Sequence, residues 1–489
     1  APTLDAEVIY SGGGNALILF ANHGELSKEF AKALSMKALR EAPGLQLVLK
    51  HMPFNPTSDK LSASHQELIT ELAKRKLSRM PSIPLLGLGV TAECVYTGKP
   101  AVEWNKDEPP ASAEVVAKLA VKDKGIQRLN GQLSEVDLKD YKFIYDFDHF
   151  GTKGESTYLA VIHADGNGMG DRIKAIGKDH RANDEYVRNL RGFSDSIKAA
   201  SSRALQATMK MLLDNIVVDG KNNTRMIGDR VPIPFVKGKK DSAPLWRLPF
   251  RPIVFGGDDV TFVCEGRLGL AIATKYLHEF SQQKLADGDS AHARAGVAVV
   301  KSHFPFSRAY ELADDLCGSA KTYIKEWEKE KQPGVTALDW HFAVTGLVRP
   351  LKEIREREYQ VDAGNLYMRP LRLSDPDDDW RSWQTFKSIM AEFRQPEKEK
   401  GHWAGRRNKL KALRVALRNG EAEVRQFLKA CGHELPDIPK EASMKSDGWQ
   451  LKSEGQQAKS EGEQDRRCGY FDAIEALDFF VPVEKGGLL

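Results

Sequence analysis

Short β-prone runs and longer stretches of helical period alternate along this chain in an order that occurs twice. Glu7–Tyr10 and Ala16–Phe20 are apolar and flank Ser11-Gly-Gly-Gly-Asn15, where glycine and asparagine accept the positive φ of a tight turn, so the spacing predicts a hairpin. Apolar positions at helical period follow over about Glu25–Glu41, then a strand at Leu45–His51, then a second helix over about Ala63–Leu77. The order returns as strand Pro252–Phe255, turn Gly256-Gly257-Asp258-Asp259, strand Val260–Cys264, helix about Leu268–Leu285, strand Ala293–Lys301 and helix about Ser307–Trp327.

The chain therefore reads as a diverged internal duplication. Aligning the two turns sets Gly14-Asn15 against Asp258-Asp259, so only the second copy keeps an acidic pair. That copy is also preceded by a strand, Tyr158–Ala164, and a helical stretch over about Asp171–Ile216, for which the first copy has no counterpart. The first copy starts in mid-fold, and residues preceding Ala1 are expected.

Composition narrows the class. The chain has 489 residues, too many for one ordinary core, with 41% hydrophobic and 29% charged residues, as in globular proteins. Its longest apolar runs, such as Ala16–Phe20 and Pro84–Val90, fall far short of the roughly 20 residues that span a bilayer. Ala1–Ala6 lacks the basic end and apolar stretch of a secretory signal. The five cysteines are scattered and never spaced C-x-x-C, which disfavours a disulfide framework or zinc knuckle and fits a reducing cytoplasm. A net charge of +4 is small, so nucleic-acid contact requires a local patch. One basic segment, Arg394–Arg418, holds Lys398, Lys400, His402, Arg406, Arg407, Lys409, Lys411 and Arg414, with Trp403 placed to stack on a base; a solvated helix face is the plainer reading.

The chemistry concentrates in the second copy. A strand ending in Asp165 beside a hairpin tipped by Asp258 and Asp259 brings three carboxylates together, because neighbouring strands lie about 4.8 Å apart. Oxygen ligands of this kind suit Mg2+ or Mn2+, and two such ions serve in-line phosphoryl transfer. After Asp165 comes Gly166-Asn167-Gly168-Met169-Gly170, a glycine-rich entry to a helix whose backbone N–H groups can cradle a triphosphate. Gly256 and Gly257 let backbone approach the same place, and Lys321 is placed to reach a terminal phosphate as a point charge. His163 shares the face of Asp165 if the strand stays regular, and Ser302-His303-Phe304-Pro305 follows the neighbouring strand, where a plain loop or a base contact both fit.

The strings His163-Ala-Asp-Gly-Asn-Gly-Met-Gly170, Phe255-Gly-Gly-Asp-Asp259, Ala295–Lys301 and Glu311–Lys321 resemble the second palm domain of the large subunit of type III CRISPR effector complexes. The resemblance covers about Tyr158–Val344. The degenerate first copy and the tail ending in Tyr470–Phe480 are also similar to that family. It implies an α+β architecture of two ferredoxin-like palm domains, the first degenerate, plus a helical C-terminal domain. The boundaries are 1–110 for an N-terminally incomplete palm, 111–155 for a connector, 156–345 for the catalytic palm and 346–489 for the helical domain, with a mobile insert near 443–467. The two palms are expected to pack as a pseudo-dimer across the nucleotide site. The implied activity is the joining of ATP through 3′–5′ bonds into cyclic oligoadenylate second messengers, with pyrophosphate release, in antiviral defence. Metal roles fall on Asp165, Asp258 and Asp259. Implied partners are RNA and other effector subunits. No His-Asp dipeptide and no paired cysteines occur in this sequence, so the nuclease and zinc modules of many such subunits have no counterpart here, and a stand-alone relative fits the same residues. A different cyclic mono- or dinucleotide, a linear oligomer, or a non-catalytic ATP-sensing scaffold remain alternatives.

Overall fold

The structure is a computed structural model and describes residues 6–21, 24–78, 89–105, 108–145, 147, 150, 158–179, 182–219, 224–228, 232–237, 245–330, 334–343, 349–373, 380–394, 403, 405–439, 444–450 and 466–483. The chain divides into two compact units, 1–134 with 168–196, and 135–167 with 197–489.

In the first unit Ala6–Gly12 and Asn15–Phe20 pair antiparallel around Gly13 and Gly14, whose φ of 55° and 71° supply the predicted turn. Helices Leu26–Glu41 and Leu61–Leu77 follow. The strand expected at Leu45–His51 does not form: that stretch joins no ladder, and the hairpin's sheet has two strands only. An isolated apolar run without a partner for its N–H and C=O groups has no ladder to enter. The unit closes through side chains. His65 Nδ1 meets the Tyr186 hydroxyl at 2.7 Å, Leu61 N–H donates to Asn183 Oδ1 at 2.8 Å, and Arg191 donates to the carbonyls of Ile9 and Val8 while pairing with Glu7. A short antiparallel pair, Glu103–Asn105 with Glu108–Ala111, leads into the expected connector; of that connector 146, 148–149 and 151–155 lie outside the described residues.

The second unit is built on a six-stranded sheet in the order Phe250–Val254, Val260–Glu265, Tyr158–Gly166, Ala293–Lys301, Ala337–Ala343, Leu371–Arg372. All its pairings are antiparallel except that of Ala293–Lys301 with Ala337–Ala343. The central strands are buried on both faces, which explains their nearly unbroken apolar runs. Helix Gly269–Ser281 covers the face of Ala160, Ile162, Phe262 and Val297, with Phe262 edge-on to Tyr276. Helix Phe306–Glu330 covers the opposite face, that of His163, Asp165, Arg294 and Gly296. At Gly296 the approach is so close that a Cβ would lie 2.1 Å from the Ala313 carbonyl oxygen.

Beyond the sheet the chain is mainly helical, as expected, with helices Trp383–Phe393, Arg407–Asn419 and Glu421–Cys431. Tyr470–Phe480 docks on the body: Tyr470, Phe471 and Phe480 are buried, and Phe479 stacks on Phe342. Of the expected insert, Met444–Asp447 is a short helix and Trp449 bridges to Cys468, while 451–465 lies outside the described residues.

Ion pairs rather than apolar contacts fill one part of this core. Fully buried Arg369 donates to Asp472, Arg355 donates to Asp339 at 2.7 Å, and Glu475 accepts from Arg414 and Tyr359. His341 lies beside them, and burial, helped by the charges of Arg369 and Arg355, pushes its imidazole down to about 3. The unfolded chain takes up a proton near 6.5 that the native state refuses, so His341 lowers stability as pH falls from there, by up to about 1.4 kcal/mol per pH unit. In His341→Gln the melting temperature is therefore expected to gain on the wild type between pH 7 and pH 4. A constant difference across that range contradicts it.

Candidate active site

Strand Tyr158–Gly166 runs regularly to its end, so the alternation that places His163 and Asp165 on one face holds. Its two neighbours bring the rest. Val260 pairs with Ala164 and Thr261 with His163, which sets the turn Phe255–Asp259 beside the end of the strand that bears Asp165. On the other side Arg294 pairs with Asp165. Gly256 takes φ +97°, a conformation open to glycine, and a Cβ there would meet no described atom within 4 Å, so the space beside this position is open.

The electrostatics show three acids sharing one place. The Asp258 carboxyl is pushed up by burial and further by the charges of Asp165 and Asp259, with Arg294 pulling the other way. Asp259 is also raised by burial, offset by His163, and raised again by Asp165 and Asp314. His163 is held between acids, with Nδ1 3.5 Å from Asp259 Oδ1 and Nε2 3.4 Å from Asp314 Oδ1, and its ring lies edge-on to Tyr310. Asp165 is bound by Arg294, whose Nη1 also donates to Gly166 O at 3.0 Å and Asn167 Oδ1 at 2.9 Å.

Among the described residues no three His, Cys, Asp or Glu side chains form a ready metal cage. The donor chemistry nevertheless fits a hard cation: mutually repelling carboxylates gain from one, and Mg2+ keeps several waters and takes only one or two carboxylates besides substrate phosphates.

The glycine loop is divided between the two units. Gly166 and Asn167 end the sheet strand, where Asn167 is tied down by its N–H to His292 O and its Nδ2 to Val335 O, both at 2.8 Å. Gly168 accepts from Asp171 and Arg172 and opens helix Met169–Asp179, with Gly170 in its first turn. Lys321 is exposed on helix Phe306–Glu330, two turns beyond Asp314 on the same side. Ser302–Pro305 is a turn closed by Phe304 N–H to Lys301 O at 2.9 Å.

Sequence reasoning missed Arg294 and gave Asp314 no role. The signal for Arg294 was a lone charge one residue inside an apolar strand whose partner ends in Asp165. Trp403 is corrected: it is 1% exposed and its indole N–H donates to Glu434 O at 2.8 Å, so it is core and does not stack on a base. Lys398, Lys400 and His402 lie outside the described residues. Arg407 and Arg414 of the basic helix line a groove of about 480 Å³ but pair with its own acids, Asp478 and Glu475.

A sheet whose central strand ends in an aspartate beside a Gly-Gly-Asp-Asp hairpin defines a palm domain of the nucleotidyl cyclase and polymerase kind. Residues 158–329 match the family model for Cas10/Cmr2, second palm domain. That stretch of the chain thus resembles the second palm of the large subunit of type III CRISPR effector complexes. Similar solved structures include a Csm1–Csm4 cassette in complex with pppApApA, at 12% identity and a TM-score of 0.48 over 98% of this chain and 62% of that one. Csm1 of T. onnurineus is similar at 14% identity and a TM-score of 0.45 over 96% and 62%. The GGEEF domain of a diguanylate cyclase from Vibrio cholerae is similar at 11% identity and a TM-score of 0.19 over 34% and 78%. The chain spans about three fifths of the length of the Csm1 chains. No curated protein matches it. Among the described residues no helix is long and apolar enough to cross a membrane.

Proposed function

We propose that this chain is a metal-dependent nucleotidyltransferase that joins ATP through 3′–5′ bonds into cyclic oligoadenylate-type messengers in CRISPR-type antiviral defence. The observation that carries this reading is the set Asp165, Asp258 and Asp259, gathered from a strand end and the neighbouring hairpin closely enough that Asp165 and Asp259 push the Asp258 carboxyl up and Asp165 pushes up that of Asp259. The match of residues 158–329 to the second palm of Cas10/Cmr2 spans all three aspartates and Lys321 and supports it.

Asp165, Asp258 and Asp259 would hold Mg2+ or Mn2+, which when bound supplies positive charge against the triphosphate and the developing oxyanions. The chain's own residues do the rest. Gly166, Gly168, Met169 and Gly170 would offer backbone N–H groups to phosphate oxygens, while Asn167, whose own N–H is taken by His292 O, would hold the loop in place, and Gly256 and Gly257 leave the hairpin backbone open to the substrate. Lys321 serves as a point charge for the terminal phosphates. His163, set between Asp259 and Asp314, fixes the orientation of the Asp259 carboxylate. The 3′-hydroxyl of one ATP attacks the α-phosphorus of the next, its proton passes to solvent, the bond from the α-phosphorus to the bridging oxygen breaks, and pyrophosphate leaves.

The test is incubation of the protein with ATP, GTP, CTP or UTP and Mg2+ or Mn2+, followed by mass spectrometry. A cyclic product made from ATP is expected. A cyclic mono- or dinucleotide, or a linear product, would keep the palm chemistry and change the messenger. Product seen only after RNA or partner effector subunits are added would make the chain a gated enzyme. ATP binding without product under all these conditions would make it a scaffold.

A further inference from the structure

Arg294 supplies a cation that nothing in the reaction above requires. It sits in a strand whose other residues are buried and apolar up to Lys301, and it is itself only 5% exposed. A guanidinium that has lost its water is tolerated where its donors are used and its charge is met. Its Nη2 is bound to Asp165, Nη1 serves Gly166 O and Asn167 Oδ1, and Nε has no partner among the described residues. Because Arg294 and Asp165 are opposite one another in the ladder, the pairing is imposed by strand register.

The consequence concerns occupancy. Asp165 belongs to an acidic set whose members repel one another, yet its carboxylate is already engaged by a fixed positive charge. We propose that Arg294 is the resident counter-cation of this site: it occupies Asp165 when no divalent ion is bound, and an entering ion must share that carboxylate with it or displace it. Arg294 thereby weakens metal binding by the free protein and stops the empty site from pushing itself apart. The inference rests on the metal-site reading above.

Mn2+ alone, titrated by calorimetry into the full chain, provides the test, with thermal unfolding as the check on folding. Arg294→Gln keeps a donor for Gly166 O or Asn167 Oδ1 but removes the charge, and it is expected to bind Mn2+ about tenfold more tightly than the wild type. Arg294→Lys keeps the charge and should stay near the wild type. In an Asp165→Asn background the gain from Arg294→Gln should vanish, because the shared carboxylate is gone. A merely structural arginine predicts the opposite, weaker binding together with a lower melting temperature. If Arg294→Gln does not fold, Arg294→Met takes its place. Unchanged or weaker Mn2+ binding by a folded neutral variant overturns the proposal while the metal site stands. Equal binding by wild type and Asp258→Ala/Asp259→Ala instead removes the metal site itself, and with it the proposed function.

Discussion

Replacing Asp258 and Asp259 together by alanine is expected to lower nucleotide joining on the order of a thousandfold or more, with no loss of stability. The two halves of this expectation have one cause. Both carboxyls are raised by burial and by like charge, so their ionised forms disfavour the native state near neutral pH. Removing them relieves the repulsion, and the melting temperature should hold or rise. Ordinary structural turn residues behave differently, since their loss loosens the hairpin. Product quantified by mass spectrometry beside a thermal melt separates the cases. Full activity in the double variant discards the mechanism, and a large fall in melting temperature assigns the pair to the fold.

The largest effect on stability is expected outside this acidic set, at Asp472. Its Oδ1 accepts from Arg369 Nη1 at 2.7 Å and its Oδ2 from the N–H groups of Met368 and Arg369 at 2.8 and 3.1 Å, and both Asp472 and Arg369 are fully buried. Asp472→Ala strands a buried guanidinium and two backbone donors together. Breaking such a pair costs about 3–5 kcal/mol. Denaturant unfolding should show a lower midpoint by that amount, and Asp472→Asn, which keeps an acceptor, should recover part of it. A loss below about 1 kcal/mol in Asp472→Ala would mean that water or Glu475 takes over the arginine.

How legible the candidate site is in the sequence depends on what each residue needs in order to be recognised. Asp165, Asp258 and Asp259 stand out because an acid at the end of an apolar strand, or doubled in a glycine turn, breaks a local pattern. The strands and helices around them have strong periodicity, and all formed close to their expected places. Arg294 shows locally only as a charge just inside an apolar strand; the register with Asp165 gives it meaning, and register is a pairing between distant segments. Asp314 is likewise an ordinary helix acid until His163 is placed against it. The failures have the same root. Leu45–His51 has strand composition but finds no neighbouring strand, and Trp403 lies in a basic segment but turns inward to Glu434.

The contact at Gly296 bears on how such a site can move. With the helix Phe306–Glu330 pressed against bare strand backbone, neither can slide along the other without steric overlap, so Arg294 and Asp314 ride on one stiff block. The hairpin has no such contact at Gly256, where a Cβ would meet no described atom within 4 Å. If the proposed function holds, any movement of Asp258 and Asp259 around a nucleotide takes place against this block, and a spectroscopic label at the hairpin should respond to added ATP and Mn2+ while one on the helix stays silent.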